Sequence, residues 1–201
     1  MVLVVLLFPA LALGTTMDDL VYRKGLIYKK SSDVPFTGEV TGTEQGSIKD
    51  GERDGPWVSY WENGQVWDKG TYKDGKTDGP WVEYHKNGQL WFKGTYKDGK
   101  RDGPWVRYDR YGQLEYTGTY KDGKKHGPWV TYYPNGQLWD KGTYKDGKRD
   151  GPWVLYHYNG QLSFKGTYKD GKKDGPWVGY YEDGTVDEKW TGTFKNGVKV
   201  E

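Results

Sequence analysis

The sequence contains no cysteine, which removes disulfides, thiol nucleophiles and cysteine-based zinc sites together and leaves the redox compartment undetermined by that route. Aliphatic and Phe side chains are scarce: Leu, Ile, Val and Phe supply 35 of 201 residues, a share that by itself points to disorder. An excess of one charge is missing too. Lys plus Arg at 30 against Asp plus Glu at 28 leaves a net charge of +2, so the chain lacks the global field that nucleic acid or acidic membrane binding uses, and a nucleic-acid partner is disfavoured. What stands in place of the aliphatics is 11 Trp and 18 Tyr, enough buryable surface for a fold of another kind. The 31 Gly and 9 Pro are spread evenly, which demands frequent tight turns and excludes an all-helical protein.

Val2 to Leu13 is the one sustained apolar run and holds 9 of those 35 residues. It is shorter than the ~20 residues that cross a bilayer, and Ala10, Ala12 and Gly14 sit where a signal peptidase cuts. Residues 1–14 read as a secretory signal peptide cleaved near Gly14. The mature chain would then carry no transmembrane segment and work in the periplasm or as a secreted protein. No Lys or Arg precedes the run, so an uncleaved anchor is the alternative.

From Gly55 the tripeptide Gly-Pro-Trp recurs with Trp at 57, 81, 105, 129, 153 and 177, a strict period of 24 that belongs to repeat architectures. A full copy reads GPWVTYYPNGQLWDKGTYKDGKRD, residues 127–150. Five such copies fill 55–174; a sixth, 175–201, carries two extra residues before Gly192 and closes as a degenerate cap, and 15–54 holds scraps of the pattern as an N-terminal cap. Within a copy, WVTYY and QLWDKGTY are strand-like and PNG and KDGKRDGP are turns, so each repeat is a hairpin plus a connection. The expected fold is all-β: a single elongated, twisted antiparallel sheet of stacked 24-residue hairpins. Pro134, Asn135 and Gly136 suit a type I turn with a G1 bulge. That register puts Val130, Tyr132, Leu138, Gly142 and Tyr144 on one face, and Trp129, positions 131, 133 and 139, and Thr143 on the other. A two-residue type I′ Asn-Gly hairpin is the alternative; it would place Trp129 opposite Gly142, an aromatic covering a glycine.

The recurrent N-G-Q-L-x-x-K-G-T-Y-K-D-G-K-x-D-G-P-W-V-x-Y, over residues 55 to about 198, resembles the MORN repeat, and more closely its bacterial variant in YwqK-type proteins described as antitoxins. The resemblance implies a ribbon of stacked hairpins, a protein-binding or scaffolding role and no catalytic residues. An antitoxin neutralises its toxin in the cytosol, so with this leader an envelope-acting toxin and its immunity protein fit better.

Chemistry is hard to place on such a frame. Asp74, Asp98, Asp122, Asp146 and Asp170 recur at the third position of a turn before an obligatory Gly, a structural role. The five Ser, at 31, 32, 47, 59 and 163, have no nucleophile-elbow context. The turn DGKRDG resembles the start of a calcium loop, but Lys148 and His157 occupy places that need oxygen ligands. His85, His126 and His157 are too few and too scattered for a metal site and read as surface positions. No catalytic residue, metal or cofactor is assigned. Lys73, Lys97, Lys121, Lys145 and Lys169 line one edge; Lys there guards a sheet against edge pairing, and an anionic lipid-headgroup stripe is the minor reading.

The constant Trp row reads as a structural ladder of identical rings stacked on adjacent hairpins. The variable positions around it read Ser59, Trp61, Trp67; Glu83, His85, Trp91; Arg107, Asp109, Glu115; Thr131, Tyr133, Trp139; Leu155, His157, Ser163; Gly179, Tyr181. Variation on a constant frame is how repeat proteins build binding surfaces, and aromatics with scattered charge suit a protein partner. The candidate partner-binding residues are Trp61, Trp67, His85, Trp91, Arg107, Asp109, Tyr133, Trp139, His157 and Tyr181. The first functional reading is a non-catalytic protein-binding scaffold, antitoxin or immunity protein among its forms. The second is a carbohydrate or cell-wall glycan binder, which would require the same aromatic pocket in every repeat.

Overall fold

The structure, a computed structural model, describes residues 14–200; the leader, apart from Gly14, lies outside the described residues. One repeat explains the rest. The strand Lys124–Tyr132 reverses into Leu138–Lys145 through Pro134-Asn135-Gly136. The Gly136 N–H donates to the Tyr133 carbonyl at 2.8 Å, the Tyr133 N–H to the Gln137 carbonyl at 2.8 Å, and Gly136 has φ +84°. This is the type I turn with a G1 bulge that Pro134 favours. The type I′ geometry appears at the other turn instead. Asp146 and Gly147, at φ +50° and +87°, place Lys145 opposite Lys148, which is the two-residue primed turn whose twist matches the strands it joins. Asp146 therefore takes the second position of its turn, not the expected third.

A further bulge at Trp139 corrects the expected faces. Tyr132 pairs with Leu138, but Thr131 pairs with Asp140, so Trp139 is the extra residue and Trp129 comes to lie opposite Gly142. One inserted residue moves every later side chain to the other face. Gly142, Tyr144 and Asp140 thus join Trp129 and Thr131 on a Trp face, while Thr143 and Lys141 join Pro128 and Val130 on a Val face. Positions 133 and 139 remain on the Trp side as expected, with ring centroids 5.7 Å apart.

Repetition of this unit gives an all-β chain in which the strands from Gly38–Thr41 to Val198–Lys199 pair antiparallel in sequence order, the short strands Lys76–Thr77, Lys100–Arg101 and Lys172–Lys173 pairing with the same neighbour as the strand that follows each. Thr15–Thr16 adds a parallel pairing to Gly38–Thr41, and Leu20–Arg23 with Leu26–Lys29 forms a separate two-stranded sheet. Among the described residues no helix is long and apolar enough to cross a membrane.

The core lies on the Trp face. Trp57, Trp81, Trp105, Trp129, Trp153 and Trp177 are 2–5% exposed, and three devices cover them. The first corrects the expected stacking of Trp on Trp: Tyr72, Tyr96, Tyr120, Tyr144 and Tyr168 stand edge-on between successive indoles, centroids 4.9–6.0 Å apart. Edge-to-face pairs contribute about 0.5–1.5 kcal/mol each beyond area burial. The second is glycine beneath the ring, as at Gly142, where a Cβ would overlap the Trp153 indole. The third is a cation above it: Arg53, Arg101, Lys125, Arg149 and Lys173 lie 4.0–4.5 Å from the Trp four residues on, a cation–π contact that also covers the ring with the side-chain stem. The aliphatics gather at the start, where Leu20, Ile27, Val40 and Ile48 pack with Phe36 against Trp57. At the other end Phe194 takes the Tyr place against Trp177.

Candidate functional site

The candidate residues lie where each hairpin turns, at the end of the Trp face next to the Pro-Asn-Gly edge. In the first, second and fourth repeats position 61 or its equivalent meets position 67 or its equivalent across the hairpin. Trp61 and Trp67 have centroids 5.2 Å apart and His85 and Trp91 5.5 Å. Tyr133 meets Trp139 and, at 5.1 Å, Tyr158 of the next repeat. In the third repeat an ion pair, Arg107 to Glu115 at 2.6 Å, replaces the aromatic pair, and the Arg107 guanidinium lies 5.6 Å from the Trp91 ring. The result is a stripe of Trp/Trp, His/Trp, Arg/Glu and Tyr/Trp pairs, each different from the next. The equivalent positions after it are His157 and the buried Ser163, and the row ends at the exposed Tyr181.

The ten residues divide by exposure and bonding. Trp67, Trp139 and Tyr181 are exposed at 39, 46 and 52%, and Trp91 is half-buried. Trp61, His85, Tyr133 and His157 are half-buried and each bonds a backbone carbonyl 23 residues on: Trp61 Nε1–H donates to Tyr84, His85 Nε2 to Tyr108, Tyr133 O–H to Tyr156 and His157 Nε2 to Tyr180, at 2.8–3.2 Å. The reading of His85 and His157 as plain surface positions is corrected by these bonds, since both rings staple one repeat to the next. Asn63, Asn87, Asn135 and Asn159 add a second staple of the same reach. Asp109 instead accepts from Tyr111 and Gln113 within its own turn, so the third repeat breaks the series.

Three contributors escaped the sequence reading. Position 140 and its equivalents, Asp68, Phe92, Tyr116, Asp140 and Phe164, also face the Trp side and vary; the bulge at 139 hid them. The cation row sat in what reads as turn sequence, although a basic residue four before Trp was a usable signal. The staples had no signal short of the structure. Burial raises the carboxyl pKa of Asp68 and of Glu83, the latter against the hydrogen bond Glu83 accepts from Trp81. Among the described residues no group of three or more His, Asp or Glu is placed to hold a metal ion.

The family model described as MORN repeat variant matches residues 53–74, 77–98, 101–122, 125–146, 149–170 and 173–196. The chain belongs to the MORN repeat variant family. Each MORN-variant unit spans one constant Trp and its hairpin and ends at the first turn residue, Asp in five units and Asn196 in the sixth, and the sixth unit is longer by the two residues that precede Gly192. No curated protein matches the chain. The MORN-variant frame accounts for the constant residues, and the stripe of unlike pairs is what this chain adds to it.

Proposed function

We propose that the protein is a non-catalytic scaffold that binds another protein through the variable stripe of its Trp face. The observation that carries the reading is that the constant Trp rings are buried, while the exposed aromatics of the stripe, Trp67, Trp139 and Tyr181, differ in setting from repeat to repeat. Rigid amphipathic rings beside an ion pair suit the hot spots of protein interfaces. A glycan binder would offer one aromatic platform per repeat, and the row with that regularity has no free ring face. Export fits the apolar segment Val2 to Leu13, and immunity to an envelope-acting toxin is the form of scaffold we favour. The test is affinity capture from the native envelope and medium, wild type beside Trp67→Ala/Trp91→Ala/Trp139→Ala, with circular dichroism to confirm the fold. A defined protein enriched by wild type alone supports the reading; glycan fragments alone would replace it with the carbohydrate binder.

A further inference from the structure

Two members of the cation row are ion-paired to a carboxylate nine residues before them. Arg53 pairs with Glu44 at 2.6 Å and Arg149 with Asp140 at 3.6 Å, and Asp140 also faces Lys125. At Arg101 and Lys173 the Asp140 place is held by Phe92 and Phe164; Arg101 bonds the Tyr120 hydroxyl at 3.2 Å, whereas Lys173 faces aromatic rings. The Lys173 ammonium lies 4.5 Å from the Trp177 ring, 4.5 Å from Trp190, 4.9 Å from Phe194 and 5.5 Å from Phe164. Among the described residues no carboxylate lies within ion-pairing distance of it. Burial alone sets its pKa below the ordinary lysine value, with no acid acting against it.

The two-residue extension of the sixth repeat completes the surroundings. It carries Trp190, 39% exposed, whose ring stands edge-on to Phe164 at 6.0 Å. Between them opens a cavity of about 240 Å³ lined by Leu155, Phe164, Trp177, Trp190, Arg149 and Lys173, with the Trp153 and Tyr168 rings at its edge. A dry cavity of about 150 Å³ takes a benzene ring, so this one has room for a single ring system and a short arm.

We propose that this cavity binds a small aryl carboxylate. The flat ring lies among Leu155, Phe164 and Trp190, and the carboxylate supplies the counter-charge that Lys173 lacks. Charge-assisted bonds to an ammonium desolvated by aromatic walls are stronger than neutral ones, so the acid group sets the preference.

The experiment is titration of the full chain with indole-3-acetate and phenylacetate, followed by calorimetry and by the indole N–H resonances in ¹H–¹⁵N spectra. Indole-3-acetamide and tryptamine serve as neutral and cationic counterparts. The expected result is saturable binding of the acids, at least about tenfold tighter than of either counterpart, with the resonances of Trp177 and Trp190 shifted. Lys173→Met should weaken the acids about tenfold and Lys173→Arg should restore them, both variants keeping the wild-type dichroism spectrum. Equal affinity for acid and amide, preference for tryptamine, or unchanged affinity in Lys173→Met would overturn the proposal. No protein partner is present in the titration, so its failure leaves the scaffold reading standing.

Discussion

Gly142 lies so close beneath Trp153 that any side chain must displace the indole or the strand. Its φ is not in the left-handed region, so space alone demands glycine here. Gly55 is the contrast, with φ +92° and nothing within 4 Å of a built Cβ. Gly142→Ala is expected to cost about 2–3 kcal/mol by overpacking, and Gly55→Ala only the ~1–2 kcal/mol of a left-handed non-glycine residue; urea unfolding of both distinguishes the two causes. Glu83 gives a pH signature. Burial raises its pKa in the folded chain, so the folded state holds a proton that the unfolded state has released. Stability from this group is therefore full below the ordinary glutamate pKa and falls as pH rises through the window up to the folded value. Glu83→Gln, which can still accept from Trp81, is expected to raise the urea midpoint at about pH 7 and to leave it unchanged at about pH 3.5. At this scale the Trp row was plain from its spacing, whereas the need for glycine under it depended on which of two registers the chain takes.

The hairpin is where sequence and structure part company, and a single residue is the reason. Pro134 announces the turn correctly, but nothing in QLWDKG marks Trp139 as a bulge, and that bulge decides which face Tyr144 joins. The hairpins are tied to one another at both edges. Beyond the staples at the Pro-Asn-Gly edge, Asp78, Asp102 and Asp150 accept from the N–H of Asp98, Asp122 and Asp170 at the other. The junction between the third and fourth repeats is the weakest: Asp109 bonds its own turn, Tyr111 replaces the stapling Asn and is 72% exposed, and His126 stands in the Asp place, its Nδ1 accepting from the Asp146 N–H at a long 3.5 Å. Tyr111→Asn is expected to add a staple to the Pro134 carbonyl and raise stability by about 0.5–1 kcal/mol, while Asn159→Ala removes one and lowers it by a similar amount. Amide exchange around Gly112 and Gly136 checks the local effect, with slower exchange expected in Tyr111→Asn.

As a whole molecule the ribbon has no single centre. Each strand pairs with its sequence neighbours, and the aromatic ladder passes its contacts from one repeat to the next, so stability is close to a sum of repeat and junction contributions. Trp105→Ala, in mid-ladder, is expected to cost about 3–5 kcal/mol and to broaden the unfolding transition; Trp139→Ala, half exposed, is expected to stay within about 1 kcal/mol of wild type. The period of 24 made the architecture legible in the sequence, because only a stacked array places six identical tripeptides at equal steps. The variable stripe was legible as a set of changing positions but not in its internal pairing, since cross-hairpin neighbours such as Trp61 and Trp67 follow from turn geometry and not from spacing. The most direct test of that stripe compares capture by three forms of the chain: wild type, Trp67→Ala/Trp91→Ala/Trp139→Ala on the Trp face, and Lys69→Ser/Lys93→Ser/Lys141→Ser on the Val face. Loss of one defined protein partner from the Trp-face variant, with retention by the Val-face variant and unchanged dichroism in both, is the predicted result. Retention by the Trp-face variant and loss from the Val-face variant would contradict it and move the binding surface to the opposite side of the sheet.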